Sequence, residues 1–100
     1  MSHYKIQYAP EALQEIKNII DYYNSLSAGL GNRFKQHFLV AIKALKNNPN
    51  YNTFRYDEVR FATIDKFPYA AQDTVVGRLV KIQAVLAFKQ NPDTNWMIRF

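Results

Sequence analysis

Lys81-Ile82-Gln83-Ala84-Val85-Leu86-Ala87-Phe88-Lys89-Gln90-Asn91-Pro92-Asp93-Thr94-Asn95-Trp96 is the stretch on which the reading of this chain turns. It opens as an alternating run, with Ile82, Ala84 and Leu86 facing one way and Lys81, Gln83 and Val85 the other, which is the period of a strand. Asn91-Pro92-Asp93 then stops it, because proline removes a ladder donor and disfavours helix at the residue before it. The upstream chain reads as a scaffold that holds this strand and presents its polar end.

Immediately upstream, Gly77-Arg78 is a tight turn before Leu79. Phe67-Pro68-Tyr69 begins a strand that runs to Val75 or Val76, and Asp65-Lys66 is the turn before it. A further strand spans Phe54 to Ile64, with Val59, Phe61 and Thr63 on one side and Arg60, Ala62 and Ile64 on the other. These three strands make a meander. Asn50 to Thr53 is a loop.

The first half is mostly helical. Tyr4, Ile6 and Tyr8 alternate with Lys5 and Gln7, so a short strand runs from about residue 3 to 8. Pro10 and Glu11 then suit a first helical turn. Leu13, Ile16, Ile19, Ile20 and Tyr23 recur at helical spacing and make one apolar stripe. Residues 24–29 form a turn in which Ser27 is the expected cap of the next helix. Leu30, Phe34, Phe38, Ala41 and Leu45 give a second stripe, ended by Asn47-Asn48-Pro49. Helices joined by so short a turn pack as an antiparallel hairpin and need a sheet to cover their stripes. The expected fold is α+β, order β-α-α-β-β-β, with the helical hairpin on one face of a small, mainly antiparallel sheet. Residues 1–100 form a single domain.

Composition bounds the chemistry. A chain of 100 residues buries roughly 60 to 70% of its unfolded surface, enough for one core. Seven Tyr and seven Phe can fill such a core or line a partner groove. With no cysteine there is neither disulfide nor thiolate chemistry. The first eight residues lack a signal-peptide h-region, and no apolar run approaches bilayer length, so the expectation is a soluble, cytoplasmic protein without a membrane partner. The net charge of +5 is unevenly placed. Residues 29–56 carry Arg33, Lys35, Lys43, Lys46 and Arg55 with no acid, which invites a nucleic acid or an acidic protein segment.

The order of elements and several local features resemble the RelE/ParE superfamily of toxins from type II toxin–antitoxin modules, in its ParE-like, plasmid-stabilisation branch. Tyr8-Ala9-Pro10-Glu11-Ala12, Ile19-Ile20-Asp21-Tyr22-Tyr23 and Gly29-Leu30-Gly31-Asn32-Arg33-Phe34 carry the likeness in the first half. Asn48-Pro49, Val59-Arg60, Lys66-Phe67-Pro68-Tyr69, Ala84-Val85-Leu86 and Asn91-Pro92 followed by Trp96 carry it in the second. The resemblance implies a toxin neutralised by a cognate antitoxin protein. It also implies one of two targets: DNA gyrase for ParE-like members, or mRNA in the ribosome for RelE-like endonucleases.

Metal-free RNA cleavage needs a base, an acid and cations for the phosphorane. The candidates are Arg60, Lys66, Tyr69, Lys81 and Lys89, with Lys66 equally readable as a turn residue and Tyr69 as a half-buried strand aromatic. They do not make a convincing catalytic set. His3 and His37 lie far apart without supporting acids, no cluster suggests a metal, and no motif suggests a cofactor. Where family members commonly carry His and then Arg at the end of the last strand, this chain has Ala87 and Gln90. Ala70-Ala71-Gln72-Asp73 likewise replaces large apolar residues in the preceding strand. A binding toxin without catalysis is therefore the first reading, with a ribonuclease or a detoxified binding module as alternatives. Arg60, Lys81, Lys89 and Trp96 are the expected target contacts, Trp96 also serving as a possible anchor for the tail. Tyr22, Arg33 and Lys43 are the expected antitoxin contacts, while Phe34 is core.

Overall fold

The structure, a computed structural model, describes residues 4–50, 53–56, 59–88 and 97–98. Strand β1 (Lys5–Tyr8) leads into helix α1 (Pro10–Leu26), which is followed by helix α2 (Leu30–Asn47). Four strands come next, β2 (Thr53–Tyr56), β3 (Val59–Thr63), β4 (Tyr69–Val76) and β5 (Leu79–Phe88), and then the short β6 (Met97–Ile98). They form one sheet in the order β1-β5-β4-β3-β2, with β6 also on β5. Only β1 runs parallel to its neighbour, pairing Lys5 with Leu79 through Tyr8 with Ile82; the other pairs are antiparallel. Both helices pack on one face of this sheet, giving the α+β fold expected. No helix among the described residues is long and apolar enough to cross a membrane.

Pro10 sits in the first turn of α1 with Glu11 beside it, as its lack of an N–H and the helix dipole favour. The helix continues through Asn24-Ser25-Leu26, beyond the expected turn. Ala12 and Ile19 line its buried face, whereas Leu13 is 53% exposed. The reason is angular: residue 12 lies in line with 16, 19 and 23, and residue 13 falls a quarter-turn away. Ser27 also departs from expectation. Its backbone N–H donates to the Tyr23 carbonyl to close α1, and Gly29, in the left-handed region at φ 85°, is the N-cap of α2. Gly29 has no side chain to cap that end, and the amide of Asn24 on α1 takes its place.

Gly31 fixes how closely the helices approach. Its N–H donates to Asn24 Oδ1 at 2.8 Å, and a Cβ there would collide with the Ile20 carbonyl oxygen and lie 2.7 Å from Asn24 Cγ. Gly31→Ala is therefore expected to destabilise the protein by about 1–3 kcal/mol through overpacking, measured as a fall in the thermal midpoint.

Three features of the sheet differ from the sequence reading. Residues 54–64 are not one strand: β2 and β3 pair as a hairpin, Thr53 with Ala62 through Tyr56 with Val59. In sequence the two strands are separated by Asp57 and Glu58, acids of low strand propensity. The next strand begins at Tyr69 rather than Phe67, because Lys66 adopts φ 69° and Pro68 has no N–H to give. Finally, the alternation of β5 is interrupted. Gln72 pairs with Ala84 but Asp73 pairs with Ile82, so Gln83 is the extra residue of a bulge.

That bulge exchanges the faces of β5. Val80, Ile82, Val85 and Ala87 join the helix-side core with Phe34, Phe38, Ile42, Leu45, Ala62, Ile64, Tyr69 and Ala71. Ala84 and Leu86 turn to the opposite side and pack with Phe61 and Ala70, flanked by Phe54 and Val59. Phe54 and Phe61 stack there at 5.4 Å. Ala70 and Ala71 are buried on opposite faces.

Candidate functional site

Arg60 lies on the helix side of the sheet, because its cross-strand neighbour Asp73 pairs in turn with the core residue Ile82. Its guanidinium is engaged at three points. Nε donates to Asp73 Oδ1 at 3.0 Å, Nη1 to Asn50 Oδ1 at 3.1 Å and Nη2 to the Pro49 carbonyl at 2.5 Å. The side chains of Arg60 and Asp73 are 15% and 0% exposed. Burial pushes the Asp73 carboxyl above its ordinary range, although the guanidinium pulls the other way. Asp73 Oδ2 is buried with no hydrogen-bond partner among the described residues. The cluster clamps β3, β4 and the first part of the α2–β2 connection together.

The other expected catalytic groups are not gathered around it. Lys81 is exposed and pairs with Thr74 and Gln7, on the face away from the helices and from Arg60. Arg60 and Lys81 thus cannot share a phosphate from one face. Lys66 is an exposed turn residue. Tyr69, 4% exposed, stands edge-on to Phe34 and Tyr23 at 5.6 and 6.1 Å. Burial, reinforced by Tyr23, to which it donates a hydrogen bond, pushes its phenol up to about 12. A phenol held that way stays neutral. Lys89, Gln90, Trp96 and His3 lie outside the described residues. His37 is half-buried on α2 with its ring 5.5 Å from Phe67. Among the described residues no three His, Asp or Glu side chains converge as a metal site.

The surfaces expected to take an antitoxin fall in two places. Arg33 and Lys43 are exposed on the outer side of α2. Tyr22, 55% exposed, belongs to the far flank of α1, where its ring meets Tyr23 edge-on at 5.5 Å. There it borders a groove of about 660 Å³ walled by Ile19, Leu26, Pro68, Tyr69 and Val85. At the groove's polar end Glu15 Oε1 accepts the Val85 N–H at 2.9 Å. This bond meets a main-chain donor of β5 beyond the last residue paired with β1, Ile82, and before Ala87, where β6 begins. Leu26 and Glu15 were not singled out from sequence. The available signal was that α1 can run on to Leu26, which places Tyr22 and Leu26 on one flank at four-residue spacing.

Neither the protein-family profiles nor the curated proteins contain a match to this chain. Among solved structures it is similar to a chain of the chromosomal ParDE TA system from P. aeruginosa, with a TM-score of 0.71 and 21% identity. The match covers 83% of this chain and 94% of that one. The two chains therefore share a fold over the matched length.

Proposed function

We propose that this protein is the toxin of a type II toxin–antitoxin module, ParE-like, acting in the cytoplasm by binding a target such as DNA gyrase and held inactive by a cognate antitoxin. The observation that carries the reading is the fold shared with the ParDE chain over 94% of that chain's length. Binding is favoured over RNA cleavage because Arg60 is engaged in three hydrogen bonds and Lys81 projects from the other face. In this reading Lys81, with Lys89 and Trp96, contacts the target, and Arg60 supports the strands. Tyr22 and the groove beside it offer one contact for the antitoxin.

Induced expression tests the reading. Growth arrest is expected, relieved when the adjacent small reading frame is expressed too, and purified protein should inhibit gyrase supercoiling. No arrest, with no effect of the neighbouring product, would sink the toxin reading. New 5′ ends in translated mRNA by primer extension would replace the gyrase target with a ribosome-dependent endonuclease.

A further inference from the structure

The groove beside Tyr22 carries chemistry that a plain apolar cleft lacks. Of the described residues that line it, only Glu15 has an ionic side chain, and that one is acidic in a chain of net charge +5. Glu15 is half-buried on α1, and its carboxylate is held at the groove's end by the Val85 N–H at 2.9 Å. Exposed Glu11 stands one turn before it on the same flank, at four-residue spacing. The groove therefore has an acidic end, fixed in position by a main-chain bond. Its walls add three tyrosines. The rings of Tyr22 and Tyr23 meet at 60° with centroids 5.5 Å apart, and those of Tyr23 and Tyr69 at 79° and 6.1 Å. Burial raises the Tyr23 and Tyr69 phenols above their ordinary value, so both rings stay neutral. A neutral aromatic ring has an electron-rich face that attracts cations, and rings set so nearly at right angles cannot all turn their edges to one ligand.

We propose that this groove binds a small organic cation, an alkylammonium with an apolar body, its head between Glu15 and the tyrosine rings and its body along Leu26 and Val85. Charge decides the sign of the ligand, since no lysine or arginine among the described residues lines the groove to hold an anion. A carboxylate accepts about four hydrogen bonds, so its bond to Val85 leaves capacity for an ammonium. Size favours a small molecule, because about 660 Å³ lies within the range of small-ligand sites and one short chain fills it. The inference goes beyond the toxin reading, in which Tyr22 is an antitoxin contact, and the site needs no partner chain to form.

The test uses the full chain and three probes that share one body: phenylbutylammonium, the neutral phenylbutanol and the anionic phenylbutyrate. Titrations followed by backbone amide chemical shifts should give the ammonium an affinity about fivefold or more above that of the alcohol, with the butyrate weakest. The shifts should centre on Glu15, Tyr22, Leu26 and Val85. Glu15→Gln keeps an oxygen to accept the Val85 N–H but removes the charge, so it should erase the preference for ammonium over alcohol. Tyr22→Leu keeps apolar surface at an exposed position and removes the ring, and should weaken the ammonium by about threefold or more while leaving the alcohol nearly unchanged. An unchanged thermal midpoint is the folding control; should Glu15→Gln lower it, Tyr22→Leu carries the test. Equal affinities for the three probes, tightest binding of the butyrate, no saturable binding, or shifts centred elsewhere would overturn the proposal. So would saturation by an arginine-bearing peptide alone, which would make the groove a protein-docking site. Because the chain is measured without a partner, absence of growth arrest would remove the toxin reading and leave this result in place.

Discussion

Arg60→Ala is expected to lower the unfolding free energy by about 3–5 kcal/mol, because it strips the partner from a buried carboxylate. The Asp73 side chain is fully buried, its Oδ1 is held by Arg60 and its Oδ2 lacks a hydrogen bond, so among the described residues no other donor is in place to take over. The loss also frees the Pro49 carbonyl and the Asn50 side chain from the sheet. Urea unfolding measures it. A loss under about 1 kcal/mol, the range of an exposed pair, would mean the clamp is solvated in solution. The same carboxyl carries a pH signature. Its folded-state pKa is raised above the ordinary 3.8, chiefly by burial, so the folded protein holds this proton more tightly than the unfolded chain. The group's contribution to stability is therefore greatest below 3.8 and declines as pH climbs through the raised value, the reverse of an exposed salt-bridged aspartate. Asp73→Asn should abolish that decline in unfolding measurements across the acidic range.

The second large effect is expected at Phe34. Its side chain is fully buried. Its ring meets those of Tyr23 and Phe38 at 6.0 and 6.1 Å, and those of Phe67 and Tyr69 at 5.2 and 5.6 Å. Five aromatic rings, from α1, α2, the turn before β4 and the start of β4, thus meet around Phe34. Phe34→Ala should cost about 3–5 kcal/mol, since rings from three elements cannot all close on the cavity. Phe34→Leu, which keeps most of the volume, should cost clearly less. Equal losses from the two would show that the site tolerates no change of shape.

The helices, the turn at Gly77 and the identity of the core residue Phe34 were legible because each follows from local periodicity or from a residue with special backbone freedom. Features that depend on pairing between distant strands were not. The bulge at Gln83 leaves no local signal: Ile82, Ala84 and Leu86 alternate as cleanly as any strand, and only the register with Gln72 and Asp73 separates them onto two faces. Leu13 shows a subtler limit, since an apolar residue one position off the stripe reads as part of it until the small Ala12 is seen to occupy the contact. Arg60 was legible as an important residue but not as a clamp. Its acid lies on the next strand and its other acceptors on the loop after α2, and charge counting along the sequence pairs none of them. The groove beside Tyr22 escaped because it exists only once α1, Pro68 and β5 are brought together.

The place of β5 in the sheet has a consequence for how the protein is made. Its partners on the two sides are β4, just before it, and β1, at the other end of the chain. During synthesis both helices and four strands emerge before the element that joins them. Until residues 79–88 leave the ribosome, β1 has no hydrogen-bonding neighbour and the apolar stripes of α1 and α2 lack Val80, Ile82 and Val85 beneath them. Assembly must wait for this late, long-range closure, with apolar surface exposed meanwhile to chaperones or to other chains. A message truncated before codon 79 would then yield a product for proteolysis and not a smaller working domain.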